Sequence, residues 1–254
     1  MYNNVLQGVG NGQLVSTYKL PRFPKASELS RLASGITFDR LYNCQDAASP
    51  LAEDVVGGAG RDAIAYGTVG YKQSATNTLE IGAKTTPVNG GWSAGIAVNA
   101  GANSFMLGAY FDYDDTESAV FNTVGLWTAG NSSPWAYIGA RTAGYTLYFY
   151  DGVNSKVIAI AGGDCRDKRS RGIIVLYDAG AGNIYTVMTG KVGVQVDAMG
   201  VWTGIGASTS PVLGGVTGFT GYGGTLRQGF IASGAQLDNW NTNLSAFHRR
   251  LGWQ

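Results

Sequence analysis

Tyr145-Thr-Leu-Tyr-Phe-Tyr150, stopped by Asp151-Gly152 and followed by Lys156-Val-Ile-Ala-Ile-Ala161, decides how this chain folds. The first run alternates two faces, as strand side chains must, so Leu147 and Phe149 are expected to face a core. Asp-Gly is a strong turn dipeptide because glycine adopts the backbone conformations that tight turns need. The next run, Arg171-Gly-Ile-Ile-Val-Leu-Tyr177, turns through Asp178-Ala-Gly-Ala-Gly-Asn183 into Ile184-Tyr-Thr-Val-Met188. Its residues Ile174 and Leu176 are likewise expected to face the core. Upstream, Trp92 to Val98, Phe105 to Tyr113, Ala119 to Trp127 and Trp135 to Gly139 are also rich in β-formers. About ten short strands with glycine-rich turns specify a sandwich or jelly roll. Long amphipathic helices between strands are absent, which excludes a parallel α/β sheet.

Composition agrees. Glycine contributes 39 of 254 residues with no collagen period, as turn punctuation among strands. Charged residues make up 14% and the formal net charge is +1. So weak a field leaves no basis for attracting nucleic acid or an anionic membrane. A surface poor in charge is also poorly protected against self-association, which favours a protein that works inside an assembly. No apolar run approaches the roughly 20 residues that span a bilayer, and the first 20 residues do not read as a signal peptide. Cys44 and Cys165 are too few for a disulfide scaffold or a zinc site, and two buried thiols or one disulfide both remain open.

Residues 1–35 differ from the rest. Tyr18-Lys-Leu-Pro-Arg-Phe-Pro24 holds two of the six prolines, which break both helices and central strands. We read an extended N-terminal arm with one short helix at residues 27–33, followed by one jelly-roll domain over 36–254. At the other end Leu244-Ser-Ala-Phe-His-Arg-Arg-Leu-Gly252 reads as a short closing C-terminal helix. Ser245 is expected to cap it, Arg249 and Arg250 suit its negative end, and Gly252 stops it.

Three stretches together resemble the laminin-G-like, concanavalin A-like family of jelly-roll sandwiches. The first is Phe38-Asp-Arg-Leu-Tyr-Asn-Cys-Gln-Asp46 with the acidic and glycine-rich segment after it. The second is the hairpin over 171–191, and the third is Gly229-Phe-Ile-Ala-Ser-Gly-Ala-Gln-Leu-Asp238 with the helix that follows. The resemblance implies an all-β, antiparallel two-sheet fold over residues 36–252. It implies little about function, since this fold hosts lectins, hydrolases and structural parts.

The chain carries one carboxylate cluster, Asp112-Tyr-Asp-Asp-Thr-Glu117. Its spacing resembles the catalytic strand of laminarinase-type glycoside hydrolases, where two carboxyl groups flank the scissile bond about 5 Å apart. Asp112 stands where the pattern has Glu, and Asp115 and Thr116 replace apolar residues, so an acidic solvated turn is the preferred reading. Asp112, Asp114 and Asp115 are the candidate ligands should the turn take calcium; no other cofactor is expected. His248 is the single histidine, and with no Gly-x-Ser-x-Gly elbow it reads as a surface or helix-end residue. The basic segment 164–171 contains aspartates that halve its charge, and it reads as a solvated loop.

Aromatic side chains are the remaining candidates, because their flat faces stack on sugar rings. Trp127, Trp135 and Tyr137 flank a polar loop at 128–134 and are the candidate carbohydrate contacts. The function expected from these observations is a non-catalytic structural protein of a bacteriophage virion. It would be assembled in the host cytoplasm and docked on other virion subunits or its own copies through the arm, with a cell-surface glycan as a further partner. The alternatives are a free glycan-binding lectin and, behind it, a laminarinase-type hydrolase.

Overall fold

The computed structural model describes residues 8–9, 13–14, 35–43, 53–54, 64–66, 69–73, 81–85, 91–93, 98–113, 121–127, 134–141, 144–160, 171–200, 202–208, 211–214 and 224–253. In chain order the strands begin β1 (Gly8–Val9), β2 (Gln13–Leu14), β3 (Arg40–Asn43), β4 (Glu53–Asp54), β5 (Ile64–Tyr66), β6 (Val69–Gln73) and β7 (Ile81–Thr85). They continue with β8 (Gly91–Ser93), β9 (Val98–Asn99), β10 (Phe105–Tyr113), β11 (Phe121–Trp127), β12 (Trp135–Arg141), β13 (Gly144–Tyr150) and β14 (Ser155–Ala159). The last are β15 (Arg171–Asp178), β16 (Asn183–Met188), β17 (Gln195–Ala198), β18 (Ala207–Ser208), β19 (Val212–Gly214) and β20 (Gly224–Ser233). A 3-10 turn at Ala235–Leu237 then leads into helix α1 (Asn241–Arg250).

Two antiparallel sheets form the sandwich. The nine-stranded sheet runs β17-β16-β15-β10-β20-β3-β4, with β7 also paired to β20 and β6 to β7. The seven-stranded sheet runs β14-β13-β12-β11-β19-β8-β5. Between them Phe105, Leu107, Phe111, Ile173, Val175, Ile184 and Ile231 of the first sheet meet Val124, Leu126, Ile138, Leu147, Phe149 and Leu213 of the second. All of these are buried. Such facing layers of branched and aromatic side chains are what sandwiches use in place of a helical core. The fold is thus the all-β two-sheet sandwich with a short C-terminal helix that the strand pattern predicts. The arm and its helix at 27–33 lie outside the described residues, apart from β1 and β2, which pair with each other and join neither large sheet.

Leu147 and Phe149 face the inter-sheet core as expected. Ile174 and Leu176 correct the expectation: they are buried, but on the opposite face, and Ile173, Val175 and Tyr177 take the inter-sheet positions. β15 is apolar on both faces because a second layer covers its outer side. Ile174, Leu176, Met106, Val187, Phe230 and Ala232 lie beneath Leu237, Trp240, Leu244, Phe247, Leu251 and Trp253, with Ile36 and Phe38 beside them. A strand buried on both faces loses its alternation, so a continuous apolar run cannot say which residues point where.

The helix starts earlier than its sequence suggests. Trp240 occupies the N-cap without a side-chain cap, so Ser245 lies inside the helix and not at its start. Tertiary packing substitutes for the cap: Trp240 is buried, its N–H donates to Leu237 O, and its carbonyl accepts from Asn243 N–H. The chain leading into the helix is pinned to the β15–β16 turn. Asp178 Oδ1 accepts from Ala181 N–H and Oδ2 from Asn239 N–H, while Ser104 Oγ donates to Asp238 and accepts from Ala179 N–H.

His248 is buried and not a surface residue; its Nε2–H donates to Gly172 O at 3.0 Å. Burial pushes the imidazole below the usual histidine range; the bond to Gly172 works the other way, and Arg249 adds to the lowering. The unfolded chain therefore binds the proton more readily than the folded one. The contribution to stability is complete above the unfolded value of about 6.5 and is lost progressively as the pH falls below it. We expect the melting temperature to fall on acidification through this window, and His248→Gln, which cannot titrate, to show a flatter dependence. Equal slopes for the two proteins would remove the histidine from the account.

Candidate functional site

The outer faces of the two sheets differ. On the nine-stranded sheet, α1 and its flanking residues cover the outer face over β3, β10, β15, β16 and β20. The outer face of the seven-stranded sheet carries aromatic side chains, and the strand register explains how. β11, β12 and β13 form a meander in which Trp127 pairs with Trp135, Trp135 with Tyr150, and Tyr137 with Tyr148. Since Ala136, Ile138, Leu147 and Phe149 point inward, Trp135, Tyr137, Tyr148 and Tyr150 point outward together.

These four rings form two transverse rows. In one, Trp135 and Tyr150 lie 5.6 Å apart at 42°. In the other, Tyr137 and Tyr148 lie 4.7 Å apart and nearly parallel, at 18°. Trp135 and Tyr137 link the rows at 5.3 Å, so the four make one continuous patch. Cross-strand aromatic pairs of this kind stabilise a sheet, and their centroid separations are those at which rings attract. Val212 packs against Trp135 and Tyr137 from β19, and Val157 continues the Tyr137–Tyr148 row on β14. Gly139 leaves the backbone bare where the Tyr148 ring crosses it; a Cβ there would sit 2.8 Å from that ring. Trp135, Tyr137 and Tyr150 are half-buried, and Tyr148 is largely covered by its neighbours.

One end of the patch is fixed by the β13–β14 turn. Asp151 is buried and its carboxylate accepts from the N–H groups of Val153, Asn154 and Thr203. Burial acts to raise its pKa, but these backbone donors and the Asn154 amide outweigh that and hold the carboxyl well below the usual carboxylate range. Gly152 supplies the positive φ of 99° that the Asp-Gly reading requires. Tyr150 donates its hydroxyl to Gly152 O at 2.9 Å, which ties the last ring of the patch to the turn. The turn in this way sets the position of the ring that ends the row.

The three aromatic residues expected from sequence stand on neighbouring strands of one sheet. Trp127 and Trp135 are directly opposed on neighbouring strands, and Tyr137 is the next residue on the face of Trp135. Tyr148 and Tyr150 were not among them. The signal was present in the alternation of 145–150, but only the β12–β13 register shows that those tyrosines meet Tyr137 and Trp135. Asp112 lies near the end of β10, opposite Thr225, while Asp114, Asp115, Glu117, Cys44 and Cys165 are outside the described residues. Among the described residues no group of three or more His, Cys, Asp or Glu side chains converges as a metal site. No helix among them is long and apolar enough to cross a membrane.

No protein-family profile and no curated protein sequence matches the chain. Solved structures do. The binding domain of Paraclostridial Mosquitocidal Protein 1 superposes with a TM-score of 0.60 at 10% identity, covering 86% of this chain and 53% of that one. The binding domain of botulinum neurotoxin serotype D/C gives a TM-score of 0.57 at 13% identity, covering 87% of this chain and 53% of that one. A structure described as a receptor binding domain gives 0.56 at 13% identity, covering 88% and 52%. The chain thus spans about half the length of these domains. At such identities the likeness is one of fold: the molecule is similar in architecture to the β-sandwich found in toxin binding domains.

Proposed function

We propose that the chain is a non-catalytic binding module that presents the outer face of its seven-stranded sheet to carbohydrate. The observation that carries this reading is the aromatic patch of Trp135, Tyr137, Tyr148 and Tyr150 on the outer face of the sheet that α1 does not cover. Residues two apart on a strand are about 6.8 Å apart, so the two rows offer adjacent flat platforms to consecutive sugar rings. Tyrosine and tryptophan combine an apolar ring with a polar tip, which suits a ligand that is apolar on its ring faces and hydroxylated at its edges. The strands of this sheet hold no Asp or Glu and, among basic residues, only Arg141 and Lys156. The binding-domain structures support a recognition role, and no catalysis is assigned to the acidic segment at 112–117.

The test is binding of the full chain to an immobilised panel of neutral and acidic glycans, followed by calorimetry on the best ligand. Trp135→Ala and Tyr150→Ala should each weaken binding tenfold or more, about 1.4 kcal/mol. A panel without binders, or ligands held equally well by both variants in their folded state, sinks the reading.

A second reading, a structural subunit of a bacteriophage virion that docks through residues 1–35, is supported by the low charge and by the β1–β2 pair joining neither large sheet. It requires higher-order assembly of the purified chain, which carbohydrate binding by itself does not.

A further inference from the structure

The large hydrophobic side chains exposed among the described residues are Val153, Val157, Val192 and Val196. All four belong to one side of the sandwich: the β13–β14 turn, β14, the β16–β17 turn and β17. β14 and β17 are the terminal strands of their sheets in the strand order. They adjoin each other, since Lys156 donates its ammonium to Ala198 O and Gln195 its amide to Ala159 O. The second of these bonds also orients β14. Ala159 O points away from β13, whereas Ile160 N–H donates back to Tyr145 O, so the N–H and C=O of Val157 and Ser155 point outward as well.

Natural edges are usually guarded by a proline, a bulge, or charges that face the open side. β14 has no proline and no register irregularity against β13, and its one charged residue, Lys156, is turned toward β17. Val157 is 60% exposed at the middle of the strand. We propose that this edge is where a second copy of the chain docks, β14 pairing antiparallel with β14 of the other copy about a two-fold axis at Val157. In that register valine meets valine, Ser155 meets Ala159 and Lys156 meets Ile158, so no like charges are opposed. The strand is self-complementary in a way that a two-fold interface demands. The pairing extends the Tyr137–Tyr148–Val157 row across the axis into its counterpart and joins two seven-stranded sheets into one. It stands on the exposed valines and on the outward backbone groups of Ser155 and Val157, Ala159 O being already held by Gln195, and is independent of any ligand.

Sedimentation equilibrium of the full chain should give twice 26.6 kDa, and Val157→Lys, which sets two ammonium groups against each other at the axis, should halve that mass. Because Val157 is exposed, the variant should keep its circular dichroism and melting temperature. A single-chain mass for the unaltered protein overturns the proposal, and so does a two-chain mass that survives the substitution. Val157→Cys supplies an independent reading. Facing residues of a hydrogen-bonded antiparallel pair have Cα atoms about 5.5 Å apart, within disulfide range. Mild oxidation should join two copies through a 157–157 linked peptide, identified by mass spectrometry; its absence overturns the register. A pairing instead with a strand from another protein would appear as a single-chain mass and count against the proposal.

Discussion

Trp253→Ala should cost about 3–5 kcal/mol of folding stability, toward the upper end of what large-to-small core changes produce. Trp253 is fully buried and closes the second layer over β15 and β20. Its indole stacks on Tyr110 at 5.7 Å and on Phe230 at 5.6 Å, with His248 edge-on at 6.3 Å. Its Nε1–H donates to Gln228 Oε1, and its carbonyl accepts from the Thr189 hydroxyl. Gln228 is itself fully buried and its Nε2 has no partner, so truncating Trp253 leaves both ends of a buried amide unsatisfied above a new cavity. Desolvation of the orphaned amide accounts for about 1 kcal/mol or more of that total, and lost packing for the rest. Urea unfolding of the full chain measures the total. Trp253→Phe separates the parts, since it keeps most of the ring and loses the hydrogen bond; its cost should be well under half as large. A loss below 1 kcal/mol for the alanine variant would show that the helix layer contributes little to holding the sandwich.

Gly108→Val should prevent the full chain from folding at ordinary temperature. Gly108 sits in the middle of β10, opposite Phe230 on β20, and the outer end of the Phe230 ring occupies the space beside its Cα. A Cβ placed there would be 2.1, 2.3 and 2.6 Å from three atoms of that ring. The ring has no room to retreat, because Phe38, Phe247 and Trp253 surround it at 5.2, 5.7 and 5.6 Å. Overpacking usually costs 1–3 kcal/mol when neighbours can shift, and here the clash joins two central strands of one sheet. Gly108→Ala is the milder form, and combining it with Phe230→Leu should recover part of the loss. That coupling, measured as a double-mutant cycle, is the specific signature of the contact. Additive effects, or a folded Gly108→Val protein with unchanged unfolding midpoint, would contradict the geometry.

What could be read in the amino-acid order was local. Alternation at 145–150 and the Asp151-Gly152 turn predict the β13–β14 hairpin, and the structure has both. The run at 171–177 predicts a strand equally well. Its two faces were not legible, because Ile173 to Tyr177 are all apolar and the helix layer that buries Ile174 and Leu176 comes from 60 or more residues later. The start of α1 is not legible in the sequence for the same reason: Trp240 is held by burial and by the preceding 3-10 turn, and no side-chain cap marks it. His248 reads from sequence as a surface or helix-end residue beside two arginines; it does lie in the last turn of α1, and only the packing of α1 on Gly172 makes it a buried donor.

The aromatic patch shows where the division lies. Sequence by itself determined that the chain is a glycine-punctuated, weakly charged β-sandwich with a closing helix, and that Trp127, Trp135 and Tyr137 stand near one another along the chain. Those are consequences of period-two patterning, turn residues and composition, which act over a few residues. Tertiary structure alone decided that Tyr148 and Tyr150 complete the patch, that α1 covers the other sheet and not this one, and that β14 stands at an edge with Val157 exposed. Register, layer order and edge position depend on which strands pair over long separations in the chain. No local preference of a tyrosine or a valine encodes its neighbour across a sheet.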